Sequence, residues 1–195
     1  YAGKTVVITG GTSGLGFALA KILGGRGASI VITGRREEKG AEAVEKLQAE
    51  GVSARYLRQD VSSESDWNNL AFTMKSEFGG VDYLFNNAGV MLQPNALMKT
   101  SVSDWKWIMD TNFWGSLYGL RVFSGLMFTQ PEGGRIVTTA STAGVSAFSG
   151  WAPYSVTKTA LVRLVENYQA EAIKFELDKV KYNVSLPGVF ESEIA

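Results

Sequence analysis

The sequence predicts an α/β fold, a doubly wound parallel sheet with helices on both faces. Two observations carry this. Short β-branched runs alternate with stretches of helical apolar spacing, and the alternation repeats along the whole chain. A glycine-rich turn also joins the first run directly to the first helix. Such alternation implies right-handed crossovers and a ligand crevice at the carboxyl ends of the strands.

The first strand is Thr5–Thr9 (TVVIT), and the helix after it carries Leu15, Ala18, Leu19, Ile22 and Leu23. Between them lies GGTSGLG, with Gly10, Thr12, Ser13, Gly14, Leu15 and Gly16 as candidate cofactor contacts. Glycines there let the backbone turn sharply and approach a pyrophosphate, whose charge a helix N-terminus favours. A glycine-rich turn with no ligand is the competing reading.

The second strand, Ser29–Thr33, runs into Gly34, Arg35 and Arg36. NAD-binding sheets usually place an acid about twenty residues beyond the glycines, on the ribose 2′-hydroxyl. Two guanidinium groups suit a phosphate instead, so NADP (NADPH) is preferred and NAD is the less favoured cofactor. A solvated Arg-Arg-Glu-Glu helix start competes, most strongly for Arg36.

A helix over about Glu37–Glu50 leads to a strand at Ala54–Gln59, closed by Asp60 and Val61. Asp60 sits where the crevice is expected and could meet an adenine or cap the helix beginning near Ser62 or Ser63. Trp67, Leu70, Ala71, Met74 and Phe78 recur at helical spacing and read as core. A strand at Val81–Phe85 then enters Asn86, Asn87, Ala88 and Gly89. The two amides can bond backbone groups of neighbouring strands, while Ala88 and Gly89 leave room for a flat ring. An ordinary turn is the alternative.

Helical character extends from Ser103 to about Phe128 and includes Trp105, Trp107, Phe113, Trp114, Tyr118 and Phe123, more aromatics than one sheet face needs. A subunit interface as well as core is the expectation, in a homodimer or homotetramer. Asn112 lies within this apolar stretch and must find partners, a bound water being a natural one. A strand at Arg135–Ala140 ends at Ser141, a further helix follows, and a last strand at Tyr182–Leu186 closes on Pro187 and Gly188.

Composition narrows the chemistry. Of 195 residues, 45% are hydrophobic and 19% charged, with 19 of each sign, which excludes disorder and the basic footprint of a nucleic-acid binder. The chain has no cysteine and no histidine, which removes imidazole- and thiol-based nucleophiles and the usual zinc sites; no metal is expected. Proton transfer falls to Tyr, Lys, Asp, Glu or water. No apolar run is long enough to span a membrane, and a reducing, cytoplasmic setting is expected. The chain begins at Tyr1 rather than methionine, leaving room for preceding residues, a removed targeting segment included.

The chemistry is expected in Ser141–Lys158, STAGVSAFSGWAPYSVTK. Val156, Ala160, Leu161 and Leu164 place Tyr154 at a helix start, so that Tyr154 and Lys158 share a face. An ammonium beside a phenol favours the phenolate and lowers its pKa toward neutrality. Tyr and Lys four apart also occur on ordinary helices as a surface or packing pair.

Together these motifs resemble the short-chain dehydrogenase/reductase superfamily, in its branch with subunits of common size. TGGTSGLG, NNAG, Asn112, Ser141, Tyr154, Lys158 and Pro187-Gly188 occur in family order, and thirteen residues separate Ser141 from Tyr154 as they do in the family. The resemblance covers nearly the whole chain and implies one Rossmann-like dinucleotide-binding catalytic domain over 1–195, with strand order 3-2-1-4-5-6. It implies that Tyr154 is the acid/base, that Lys158 lowers its pKa and holds the nicotinamide ribose, and that Ser141 donates to the substrate oxygen. It further implies that Asn112 keeps a water in a proton relay, that Asp60 meets the adenine, that Pro187 and Gly188 border the nicotinamide, and that Val61 and Val189 are further cofactor contacts. Family members continue past the Pro-Gly turn with a substrate-covering segment and a seventh strand, expected here beyond Ala195. Position 192, often Thr, is Ser.

The expected activity is NADP-dependent interconversion of a secondary alcohol and a ketone. The pocket candidates Met91, Leu92, Ser146, Phe148, Trp151, Val189 and Phe190 favour an apolar or aromatic substrate. A cofactor-binding sensor without turnover is the alternative, and an epimerase or dehydratase fits poorly.

Overall fold

The computed structural model describes residues 1–188. Val189, Phe190 and Ser192 therefore lie outside the described residues.

Six parallel strands form one sheet in the order β3-β2-β1-β4-β5-β6. They are β1 (Thr5–Thr9), β2 (Ser29–Gly34), β3 (Ala54–Arg58), β4 (Tyr83–Asn86), β5 (Gly134–Thr139) and β6 (Val180–Ser185). The expected strand order is thus present, with boundaries within two residues of those read from sequence. Strand β4 starts at Tyr83, just after Val81, whose N–H goes to the Gln130 side chain, and Asp82, whose carboxylate takes Lys4 Nζ and the N–H of Thr5 at the start of β1.

Alternation along the strands sorts their side chains into two layers. Val6, Ile8, Ile30 and Ile32 pack against α1 (Gly14–Gly24) and α2 (Glu37–Ala49), through Ala20, Leu23, Ala43 and Leu47. Val7, Val31, Leu84 and Ile136 face α3 (Glu64–Phe78), α5 (Gly115–Phe128) and α6 (Ala152–Lys174), through Trp67, Met74, Phe123, Met127 and Val165. Trp67 meets Phe123 edge-on, 5.8 Å between centroids, and donates from its indole nitrogen to Val61 O. Phe123 thus belongs to the core part of the aromatic run.

The stretch read as one helix from Ser103 to Phe128 is broken. A short α4 (Val102–Met109), closed at its start by a Ser101–Asp104 capping box, leads into a π-helical turn at Asp110–Trp114 and then α5. Gly115 N reaches back five residues to Asp110 O. This turn draws Asn112 fully inside.

Strand order reverses between β1 and β4, where chains leaving adjacent strands part to opposite faces. A crevice at their carboxyl ends is the geometric consequence. No helix among the described residues is long and apolar enough to cross a membrane.

Candidate active site

A cleft of about 670 Å³ opens at this switch point, within the range of roughly 300–1,000 Å³ typical of ligand pockets. One end is built from backbone. Gly10, at φ +64°, turns the chain out of β1, and a Cβ on Gly16 would lie 2.3 Å from Gly10 O, so only glycine permits the turn to fold against the start of α1. Ser13 precedes α1 without a side-chain cap, and the first backbone bond of the helix is Phe17 N to Ser13 O. The leading amides of α1 are left for an anion beside a wall that includes Thr12, Ser13, Gly14 and Leu15.

Arg35 and Arg36 line the same end, exposed and without an ion pair among the described residues. Arg36 is also the residue that precedes α2. Asp60 and Val61 contribute to the wall as well. Asp60 does not cap α3: Ser63 does that, while Asp60 Oδ1 accepts from Ser62 N and Oγ at 3.0 and 2.7 Å. A seat for an anionic nucleotide fits these residues.

The other end is built from side chains on buried supports. Tyr154 stands in the first turn of α6, two residues after its start at Ala152, and the i+4 step brings Lys158 to the same cleft wall. The 3-10 turn at Thr142–Gly144 lies so close to α6 that a Cβ on Gly144 would be 2.8 Å from Lys158 O. That approach sets Ser141, at the carboxyl end of β5, beside Tyr154.

Lys158 is 2% exposed and donates to Thr139 O at 2.8 Å. An ammonium has three donors, so others remain for hydroxyls of a ligand in the cleft. Burial lowers its pKa to about 8. Tyr154 differs from the sequence-based expectation, because its pKa is raised by burial, with the Ser141 hydroxyl pulling it partly back. Lys158 does not depress it, for a geometric reason: Nζ is drawn to the Thr139 carbonyl and lies over the phenol ring, 5.5 Å from its centroid. At neutral pH the phenol holds its proton and Lys158 its charge.

Asn112 also departs from expectation in detail. Its Nδ2 donates to Val90 O and Thr157 Oγ1, and its Oδ1 accepts from Val90 N at 2.8 Å. Both donors are spent on protein, leaving only acceptor capacity on Oδ1 for a water. Gly89 keeps space open there: a Cβ on it would lie 3.3 Å from Asn112 Oδ1 and 3.4 Å from Lys158 Nζ.

Asn87 ties the floor together, donating to Thr9 O and accepting from Thr139 Oγ1. Asn86 instead turns to helix α5, bonding Ser116 O at 2.7 Å. Ala88, Gly89, Pro187 and Gly188 line the cleft, as do Met91, Phe148 and Trp151. Leu92 packs behind Tyr154, and Ser146 is exposed and outside the lining, held by its backbone to Thr142 O.

Several supports were not read from sequence. Thr9 Oγ1 accepts from the amides of both Asn87 and Ala88, and Thr157 Oγ1 bonds Tyr154 O while receiving Asn112. Their signal is a hydroxyl residue adjoining a motif, Thr9 before Gly10 and Thr157 before Lys158. Gln59, Trp107 and Thr111 also line the cleft. The sequence assigns Trp107, with the rest of its aromatic run, to core and subunit interface rather than to a cleft wall. Among the described residues no cluster of acidic side chains could hold a metal.

The short chain dehydrogenase family model matches residues 4–195. Dehydrogenase/reductase SDR family member 4 of Oryctolagus cuniculus is 32% identical over 197 residues, covering 100% of this chain and 73% of that protein. The A-factor type gamma-butyrolactone 1′-reductase (1S-forming) of Streptomyces virginiae is 37% identical, covering 98% and 73%. Among solved structures, a short chain dehydrogenase/reductase from Burkholderia phymatum in complex with NAD superposes with a TM-score of 0.94 at 34% identity, covering 100% of this chain and 68% of that one. Levodione reductase superposes with a TM-score of 0.92 at 26% identity, covering 100% and 74%. With its sheet order, its cleft and its match along almost the whole length, the chain belongs to the short-chain dehydrogenase/reductase family of NAD(P)-dependent oxidoreductases.

Proposed function

We propose that the chain interconverts a secondary alcohol and a ketone with NADP, using Tyr154 as the proton donor in reduction and the acceptor in oxidation. One observation carries the reading: Tyr154, Ser141 and Lys158 line a cleft whose far end is an uncapped helix start flanked by Arg35 and Arg36. Relatives support the reaction class. The Streptomyces virginiae protein is a 1′-reductase, and a Sphingobium indicum relative, 33% identical, is a 2,5-dichloro-2,5-cyclohexadiene-1,4-diol dehydrogenase. NADP rests on the arginines alone, since the Burkholderia phymatum structure holds NAD.

When bound, the cofactor supplies or receives the hydride at the carbinol carbon. The protein handles the proton and the charge. The amides at Gly14–Gly16 seat the pyrophosphate, Arg35 and Arg36 take the 2′-phosphate, and Asp60 meets the adenine end. Ser141 donates to the substrate oxygen as negative charge develops there. Because the Tyr154 phenol is protonated at neutral pH, it is ready to deliver its proton to that oxygen. The Ser141 hydroxyl, whose hydrogen bond pulls the phenol's pKa partly back, favours the phenolate left behind. A water in the space beside Gly89, shared by Asn112 Oδ1 and Lys158 Nζ, returns the proton. We take residues 1–195 to belong to one dinucleotide-binding catalytic domain, in a protein that assembles as a homodimer or homotetramer.

Purified protein with NADPH and a panel of uncharged ketones should consume nicotinamide absorbance. Tyr154→Phe should lower turnover by about 10²–10⁴-fold while NADPH binding persists. Undiminished turnover in that variant would remove the assigned acid.

A further inference from the structure

The end of the cleft next to Tyr154 is walled by aromatic side chains from two separate segments. Trp107, on α4, lines the cleft with 40% of its surface exposed, and Phe148, before α6, lines it with 44% exposed. Trp151 meets the Tyr154 ring edge-on, with 6.2 Å between centroids and 76° between planes. Met91, which also lines the cleft, packs with Trp151 against the buried cluster containing Tyr154. Thr111 lies four residues beyond Trp107, its neighbour on the same cleft wall.

Charge is distributed unevenly. The ionisable side chains lining the cleft, among the described residues, are Arg35, Arg36 and Asp60 at the glycine turn, and Tyr154 and Lys158 at the reacting end. Lys158 is buried and already bonded to Thr139 O. The aromatic walls carry no cation of their own among the described residues, so a carboxylate or phosphate on the substrate would be desolvated against them with only the enclosed, partly committed Lys158 to offset it. A flat, uncharged ring would replace water on exposed indole and phenyl faces at little ordering cost.

Resting on the alcohol–ketone reading above, we propose that Trp107 is a specificity-determining residue whose indole selects substrates bearing the reacting carbon on or beside an uncharged ring. In this assignment Trp107 touches the ring and not the reacting atoms. It contributes to substrate binding, so its effect should fall on KM rather than on kcat.

The test compares acetophenone, cyclohexyl methyl ketone, 2-hexanone and 4-acetylbenzoate as substrates with NADPH, in the wild type, Trp107→Ala and Trp107→Phe. The expected wild-type result is a kcat/KM for the two ring ketones about tenfold above that for 2-hexanone, with 4-acetylbenzoate poorest. In Trp107→Ala the ring-to-chain ratio should fall by about tenfold through KM, and Trp107→Phe should keep most of it. Benzamide, an unreactive ring compound, should lose inhibitory potency in Trp107→Ala in parallel. A ring-to-chain ratio near one in the wild type, or one unmoved by Trp107→Ala, overturns the proposal while leaving the alcohol–ketone reading intact. The same holds if Trp107→Ala lowers thermal stability with selectivity unchanged, because the indole is then covered by other parts of the chain. No turnover of any ketone, with Tyr154→Phe indistinguishable from wild type, would instead strike the underlying reading.

Discussion

The two ends of the cleft are built by opposite means. At the glycine end the working groups are backbone amides, and the side chains that matter are ones left out: a Cβ on Gly16 would meet Gly10 O. At the tyrosine end the working groups are side chains, each held by a second polar residue, as Thr157 holds the Tyr154 carbonyl and Asn112 holds Thr157. The first end tolerates no added atoms, and the second tolerates no lost partners. Charge follows the same division, with Arg35 and Arg36 exposed and Lys158 enclosed.

Gly16→Ala should break the glycine end most severely. The turn must open to accommodate the methyl group, and NADPH affinity measured by calorimetry should drop about a hundredfold, close to 3 kcal/mol. Circular dichroism should remain that of the wild type. Undisturbed affinity would mean that the phosphates are seated elsewhere.

Lys158→Met probes the buried end through stability. Burial lowers the Lys158 pKa from 10.5 to about 8, so between those values the unfolded chain keeps a proton that the folded chain has released. Stability of the ligand-free wild type therefore climbs with pH across that window, and below it the enclosed ammonium weighs against folding. The methionine variant should be more stable at pH 7 by about 2 kcal/mol, with the advantage shrinking toward pH 10.5 in denaturant titrations. Equal stability at pH 7 would show that the ammonium is effectively solvated.

Arg35→Ala should have the smallest effect. Loss of one charge-assisted contact should weaken NADPH binding by about tenfold and leave NADH nearly unaffected. Equal weakening of both would remove the arginine from the choice of cofactor.

The contrast between the ends also explains what could be read from sequence. Glycine between a strand and a helix announces itself, because few other roles need it there; the parallel sheet followed from the alternation of elements, and its strand order from the family resemblance. Tyr154 and Lys158 were paired by their helical spacing, and Ser141 was picked out by the resemblance to the family. Their supports were not foreseen, since Thr9, Thr139 and Thr157 act through hydroxyls whose partners lie 45 to 79 positions away or just one turn along α6. Nor could spacing show that Lys158 would turn to the Thr139 carbonyl and lie over the phenol ring. Trp107 was hidden for another reason: within a run of aromatics, helical periodicity cannot separate a residue facing a cavity from one facing a neighbouring subunit.

The five-residue turn at Asp110–Trp114 has a consequence for everything downstream of it. In an α-helix each residue advances the azimuth by about 100°, so one surplus residue re-indexes the remaining rod by more than a quarter revolution. Trp107 is oriented by the phase before the surplus is absorbed, whereas Leu120, Phe123 and Met127 are oriented by the phase after it. A single uninterrupted rod could not serve both the open crevice and the packed layer beneath the sheet, and the stutter is what lets one length of chain do so.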